Sequence, residues 1–373
     1  MTIRKILATL LALSMTLSLA ACGGSSTQTD TTAPSEQTEE SSSVSDGSAS
    51  DETTAENTET ETPADETEAS EPAEKVDINL AALSGPTALG MLDLLEKNEN
   101  GEAANNYNVT IATAPDEVTG KIISGELDIA AVPTNVASTL YNKTEGQVQI
   151  AALNTMGVLY VLETGDTIQS VADLAGKTIY ATGQGSTPEY ALNLVLEKNG
   201  LTPGEDVEIV FAADNAEIAP LLASGEAQVA LLPQPFVTSV LTQNENVRVA
   251  LDLTEEWDKA VNGESGLTMG CVVVRKEFAE QNKEVLDRFL DEYKQSVETV
   301  TSEEGLAHAA ELAEHYNIIK AAVAEKAIPE CNIVFVEGDE MQQIAGGFLQ
   351  VLYDANPQAV GGQLPNDDFY YKR

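Results

Sequence analysis

The sequence predicts an α/β protein built from two similar lobes, and three observations predict it. One stretch occurs twice, first as Ile122-Ile-Ser-Gly-Glu-Leu-Asp-Ile-Ala-Ala-Val-Pro133 and again as Leu222-Ala-Ser-Gly-Glu-Ala-Gln-Val-Ala-Leu-Leu-Pro233, with Ser124, Gly125, Glu126 and Pro133 each recurring one hundred positions later. Each copy ends an amphipathic helix at Ser-Gly, runs on as a short buried strand and opens the next helix at Pro. Strands and helices also alternate around each copy, the rhythm of a mostly parallel sheet covered on both faces. Finally, residues 75 to 373 hold enough Ile, Leu, Val and Ala for a large core and about two domains. The space between two such lobes is a natural ligand site.

The first 75 residues have another character. Arg4 and Lys5 form a positive n-region, Ile6 to Leu19 is an apolar run, and Leu19-Ala-Ala-Cys22 places small residues before a cysteine. This reads as a secretory signal, since the run is too short to cross about 30 Å of hydrocarbon. From Gly23 to Glu74 the chain is Ser, Thr, Ala, Pro and carboxylates with no Lys or Arg. Such a segment cannot bury enough apolar surface to offset its ordering entropy, so residues 23–75 are expected to be a disordered acidic linker.

The formal charge is −42; the fifteen carboxylates of 23–74 with Arg4 and Lys5 account for −13 of it and leave −29 on the rest. Nucleic acid and anionic lipid surfaces are therefore excluded as partners. Cys271 and Cys331 either pair or remain buried thiols. Neither a Cys-X-X-Cys nor a His/Cys cluster exists, so no metal site is expected. His308 and His315 lie two turns apart on one predicted helix, which favours surface positions.

In chain order, strands are expected over 77–83, 107–112, 127–132, 148–153 and 158–163, with helices over 88–97, 116–124 and 133–141 between them. After Thr164-Gly-Asp166 the order restarts, with strands over 178–181, 207–212, 227–232 and 247–251 and helices over 190–198, 215–224 and 233–243. A strand over 266–275 and helices over 276–301, 303–316 and 340–354 close the chain. Gly183-Gln-Gly185 invites a dinucleotide reading, but the fingerprint's third glycine and acidic residue are missing. What remains is a backbone turn at a helix N-terminus that can approach a ligand closely.

Leu19-Ala-Ala-Cys22 followed by Gly-Gly resembles the lipobox of bacterial lipoproteins. That implies cleavage before Cys22, so that residues 1–22 are the signal, and acylation of its sulfur by palmitate-type chains. With it, the Ser84-Gly-Pro-Thr87 opening, the paired Ser-Gly-Glu/Pro units, Val171-Ala-Asp-Leu-Ala-Gly-Lys177 and Thr268-Met-Gly-Cys-Val-Val-Val-Arg-Lys-Glu277 resemble the substrate-binding lipoproteins of ABC importers, in the nitrate/sulfonate/taurine and thiamine-precursor group. The resemblance implies the type II periplasmic-binding-protein fold, two α/β lobes joined by two crossover strands. Lobe 1 would take 76–163 and 266–373, and lobe 2 164–265. It further implies a monomer without a cofactor, anchored by lipid on the outer face of the cell membrane, that captures a small molecule and hands it to an ABC permease.

Ligand residues are then expected in turns at strand C-terminal ends. In lobe 1 these are Ser84, Gly85, Pro86 and Thr87, then Thr134 and Asn135, then Thr155 and Met156. Lobe 2 offers Gly183, Gln184, Gly185, Ser186 and Thr187, then Asp214, then Gln234 and Phe236, with Thr268 beside the crossover. Thr134-Asn135 and Gln234-Pro-Phe236 are the opposing jaws of this reading. These turns hold no Lys, Arg or His, so an anion would rest on helix N-termini and hydroxyls. Met156, Phe236, Gln184, Gln234, Asn135 and nearby Tyr160 or Tyr190 also suit a planar heterocycle, and a neutral or weakly charged organic molecule is favoured over nitrate. Two alternatives stand beside the binder: an enzyme on the same fold, of the pyrimidine-synthase or menaquinone-pathway type, and a ligand-sensing lipoprotein. Neither histidine falls in a cleft turn, which weighs against the enzyme.

Overall fold

The computed structural model describes residues 74–373 except Ala114 and Glu264. The signal, Cys22 and all but the last two residues of the acidic segment lie outside them. The chain runs from β1 (Asp77–Leu83) through the single turn α1 (Pro86–Leu89) and α2 (Leu92–Glu99) to β2 (Asn106–Ala112). Next come α3 (Pro115–Ser124), β3 (Ile129–Pro133), α4 (Thr134–Lys143) and β4 (Val148–Met156). It crosses into a second sheet with β5 (Leu159–Thr164), β6 (Thr178–Ala181), α5 (Thr187–Lys198), β7 (Glu208–Phe211), α6 (Asn215–Ser224), β8 (Val229–Pro233), α7 (Phe236–Gln243), β9 (Val247–Asp252) and α8 (Leu253–Ala260). It returns as β10 (Thr268–Arg275), followed by α9 (Lys276–Gln281), α10 (Lys283–Thr301), α11 (Leu306–His315), α12 (Ala321–Ala327), β11 (Ile333–Val336) and α13 (Gly338–Ala355).

The two sheets run β11-β4-β10-β3-β1-β2 and β7-β6-β8-β5-β9. The repeat seen in the sequence is a repeat of topology. β3 lies parallel to β1 and antiparallel to β10; β8 lies parallel to β6 and antiparallel to β5. In each sheet the antiparallel partner is the strand on which the chain crosses in from the other.

Sheet pairing moves one expected boundary. Leu159–Thr164 pairs with β8 and β9, so this strand belongs to the second sheet, and the crossover falls at Gly157-Val158 rather than after residue 163. Its apolar run reads the same in either sheet, which is why sequence alone misplaced it. Gly157 is needed there for space, since a Cβ would lie 2.0 Å from Thr254 Oγ1. The expected helix over 276–301 is broken at Asn282 into α9 and α10, and α8 and α12 were not foreseen.

Each sheet is sandwiched between helices. One apolar cluster packs β1, β3 and β10 against α2, α10 and α11, and another packs β5 and β8 against α6 and α7. A third is continuous across both lobes: Trp257 of α8 rests on Phe348 of α13 with ring centroids 5.8 Å apart, and α5 packs against both helices. On this flank the lobes share one core. Cys271 and Cys331 are buried and unpaired, and burial pushes both thiols up to about 12, which suits packing rather than nucleophilic chemistry. His308 and His315 are exposed on α11 and face Glu96 and Glu99 at 2.8 and 3.2 Å.

Candidate functional site

β1, β3 and β4 end, and β10 begins, along one edge of the first sheet. The polar residues there form a buried chain. Thr87 Oγ1 donates to Leu83 O at 2.8 Å, which fixes the turn between β1 and α1 that carries Ser84, Gly85 and Pro86. Asn154, fully buried on β4, donates from Nδ2 to Thr87 O at 3.4 Å and accepts from Thr155 Oγ1 at 3.2 Å. Thr268 Oγ1 donates to Thr155 O at 3.5 Å. Thr134 Oγ1 lies 3.1 Å from Thr268 Oγ1, a contact in which either hydroxyl can donate. Next to Thr134, Asn135 donates to Ala359 O at 3.4 Å and accepts at 3.2 Å from Thr187 Oγ1, which belongs to lobe 2. Gly270 makes this packing possible, since a Cβ there would meet Asn154 Oδ1 at 2.5 Å and Thr87 Cγ2 at 2.7 Å.

Thr87, Thr134, Asn135, Thr155, Thr187 and Thr268 are thereby brought together, five of them buried and Thr87 partly so. Met156 ends β4 beside them, its Cε 3.0 Å from where a Cβ on Gly266 would be. Gly183 has φ 76° and Ser186 Oγ closes the turn on Gly183 O at 2.6 Å, leaving Ser186 as the N-cap of α5. Gln184 and Gly185 line a cavity of about 440 Å³ with Tyr190, Asn193 and Asn356. Two candidates face other tasks. Asp214 is exposed and caps α6 by accepting from Ala216 N at 2.8 Å. Gln234 is buried, its Oε1 accepting from Thr238 N and Oγ1 at 3.2 and 2.9 Å at the start of α7. Phe236 packs, partly buried, against the lobe-2 cluster. The expected jaw pairing is therefore revised: Asn135 meets Thr187 across the lobes, not Gln234.

The helices that reach this edge differ in how they begin. α6 and α8 are capped by Asp214 and Asp252. α4 and α5, whose first residues are Thr134-Asn135 and Thr187, have no side-chain cap bond. Their first-turn N–H groups lack intrahelical acceptors and carry the positive end of the helix dipole, although in α5 Pro188 has no N–H and the Glu189 carboxylate of the same turn accepts from Gly185 N. One comes from each lobe, and they meet at Asn135 and Thr187.

The sequence matches, over residues 93–325, the family described as the phosphonate periplasmic substrate-binding protein of ABC transporters. The chain belongs to that family. It is a solute-binding component of an ABC importer, with a small molecule and a permease as its partners. Solved structures agree on the periplasmic-binding-protein fold. They include an ABC transporter from Parabacteroides distasonis, at 24% identity and TM-score 0.67, covering 79% of this chain and 99% of that one. The aliphatic sulphonate-binding protein SsuA from Escherichia coli matches at 15% identity and TM-score 0.63, over 79% and 92%. SsuA from Xanthomonas axonopodis pv. citri, bound to MOPS, matches at 17% identity and TM-score 0.58, over 79% and 96%. None of the curated proteins compared matches this chain in sequence.

Several residues that build the binding protein's interlobe region gave no local signal. Glu330 O accepts from Tyr160 Oη at 3.3 Å, Asn356 Nδ2 donates to Tyr190 Oη at 3.1 Å, and Asn332 Nδ2 donates to Gly157 O. All three lie in the C-terminal quarter, far in sequence from the turns they touch. Asn154 could have been found as the amide that follows the apolar run Ile150 to Leu153.

Proposed function

We propose that this binding protein captures a small organic oxyanion, of the phosphonate or sulfonate kind, with its charged end held by the first turns of α4 and α5. The observation that carries this reading is the meeting of those two uncapped helix starts amid Thr and Ser hydroxyls. Helix N-termini bind oxyanions without a cationic side chain. The family description names phosphonate, and two of the neighbours are named for sulfonates, which supports the class. The stacked heterocycle weighed from the sequence has less support. Tyr160, one of the two rings that would stack it, is buried in the apolar cluster of lobe 2.

In this reading Cys22 carries the lipid anchor, two acyl chains give stable attachment where one binds reversibly, and the protein is a monomer without enzymatic activity. Cys22→Ala should shift the protein from the membrane fraction to the soluble one; retention in the membrane would refute the anchor. For the ligand class, a thermal-shift panel should show methyl-, ethyl- and aminoethylphosphonate or the matching sulfonates raising the melting temperature. Stabilisation by thiamine precursors or other uncharged heterocycles alone would overturn it.

A further inference from the structure

Asn135 and Thr187 are the natural candidates for ligand contacts, since both sit where the lobes meet. Their hydrogen bonding gives them another task. Thr187 has one hydroxyl proton and gives it to Asn135 Oδ1 at 3.2 Å; Asn135 gives one of its two amide protons to Ala359 O at 3.4 Å. Both residues are buried. Among the described residues, the other side-chain bonds between the lobes, Tyr160 to Glu330, Asn332 to Gly157 and Asn356 to Tyr190, are all part-buried. The Thr187–Asn135 bond is thus the interlobe bond most removed from water, where a hydrogen bond counts most and a lost partner costs most.

We propose that Thr187 and Asn135 form a clasp between the lobes rather than a ligand contact, stabilising the closed form with or without solute. The shared apolar core around Trp257 and Phe348 holds one flank together, so the clasp sets how far the cleft side opens. A group acting only on the open–closed equilibrium changes the apparent affinity of every solute by the same factor. A group touching solute changes affinities unequally. The proposal goes beyond the ligand-class reading and does not depend on it, because the clasp needs only the two side chains and the lobes they join.

The test uses the full chain with Cys22→Ser, labelled through Glu102→Cys in lobe 1 and Glu245→Cys in lobe 2, both exposed positions. Without ligand, Thr187→Val and Asn135→Ala should each shift the single-molecule transfer distribution toward the open state, by roughly three- to tenfold in the population ratio for one buried hydrogen bond. The double variant should be no more open than either single one, and Thr187→Ser, which keeps the donor, should restore the original distribution. Where ethylphosphonate and ethanesulfonate bind, both should weaken by one common factor. An unchanged ligand-free distribution, additive singles, or factors that differ between the two probes would overturn the clasp.

Discussion

At the scale of single residues the site depends on what is absent as much as on what is present. Gly270 has no side chain, and that lets Asn154 approach the turn at Thr87. Gly270→Ala should destabilise the protein by about 1–3 kcal/mol, the usual range for overpacking, in a denaturant titration. A change well below that would mean that the floor of the site yields easily. Glu163 offers a second test. Burial alone would raise its carboxyl, but hydrogen bonds from Thr167 and Ile168 and the charge of Arg248 outweigh it and hold the group below the ordinary carboxylate range. A carboxyl lowered by folding adds stability above its unfolded value, about 4.3, and that stability is lost as pH falls through the folded value. Thermal melts from pH 7 to 3 should show wild type losing its advantage over Glu163→Gln at the acid end. A constant gap across that range would contradict this.

At the scale of elements, the crossovers set the geometry. Gly157 lies where β4 passes into β5, against Thr254 at the start of α8. Gly157→Ala should lower the melting temperature, and adding Thr254→Ala should recover part of the loss, since Thr254 Oγ1 is buried without a partner and its removal costs little. Equal stability of the single and double variants would remove Thr254 from the explanation. The repeated strand and helix pair was legible because burial on both faces writes a continuous apolar run and the chain stops at Ser-Gly. The break at Asn282 and helix α12 were not, because each is short and held by packing rather than by a strong local signal; α8 did carry one, the Asp252 cap with Glu255 and Glu256 in its first turn, which went unread. Sheet membership of β5 was also hidden, since pairing partners far apart in sequence decide it. Of the candidate site, the Thr, Asn and Gly turns were readable at strand ends. The role of Asp214 as a helix cap, and the hold of Gln234 on Thr238, needed the hydrogen bonds.

At the scale of the molecule, a folded part carrying −29 repels an anionic solute at long range while two helix starts attract it at short range. The association rate of an alkylphosphonate should therefore rise as added salt screens the repulsion, a trend that stopped-flow mixing would follow through the single Trp257 at the interlobe contact. A rate that falls with salt would point to a local cation acting on the solute. The account as a whole rests on an organic oxyanion bound once, between the lobes. Calorimetric titration of the full chain with ethylphosphonate and ethanesulfonate, against ethanol and propanol as uncharged counterparts, tests this most directly. The account predicts saturable binding of one oxyanion per chain and none of the alcohols. Heat from the uncharged compounds with silence from both oxyanions would contradict it.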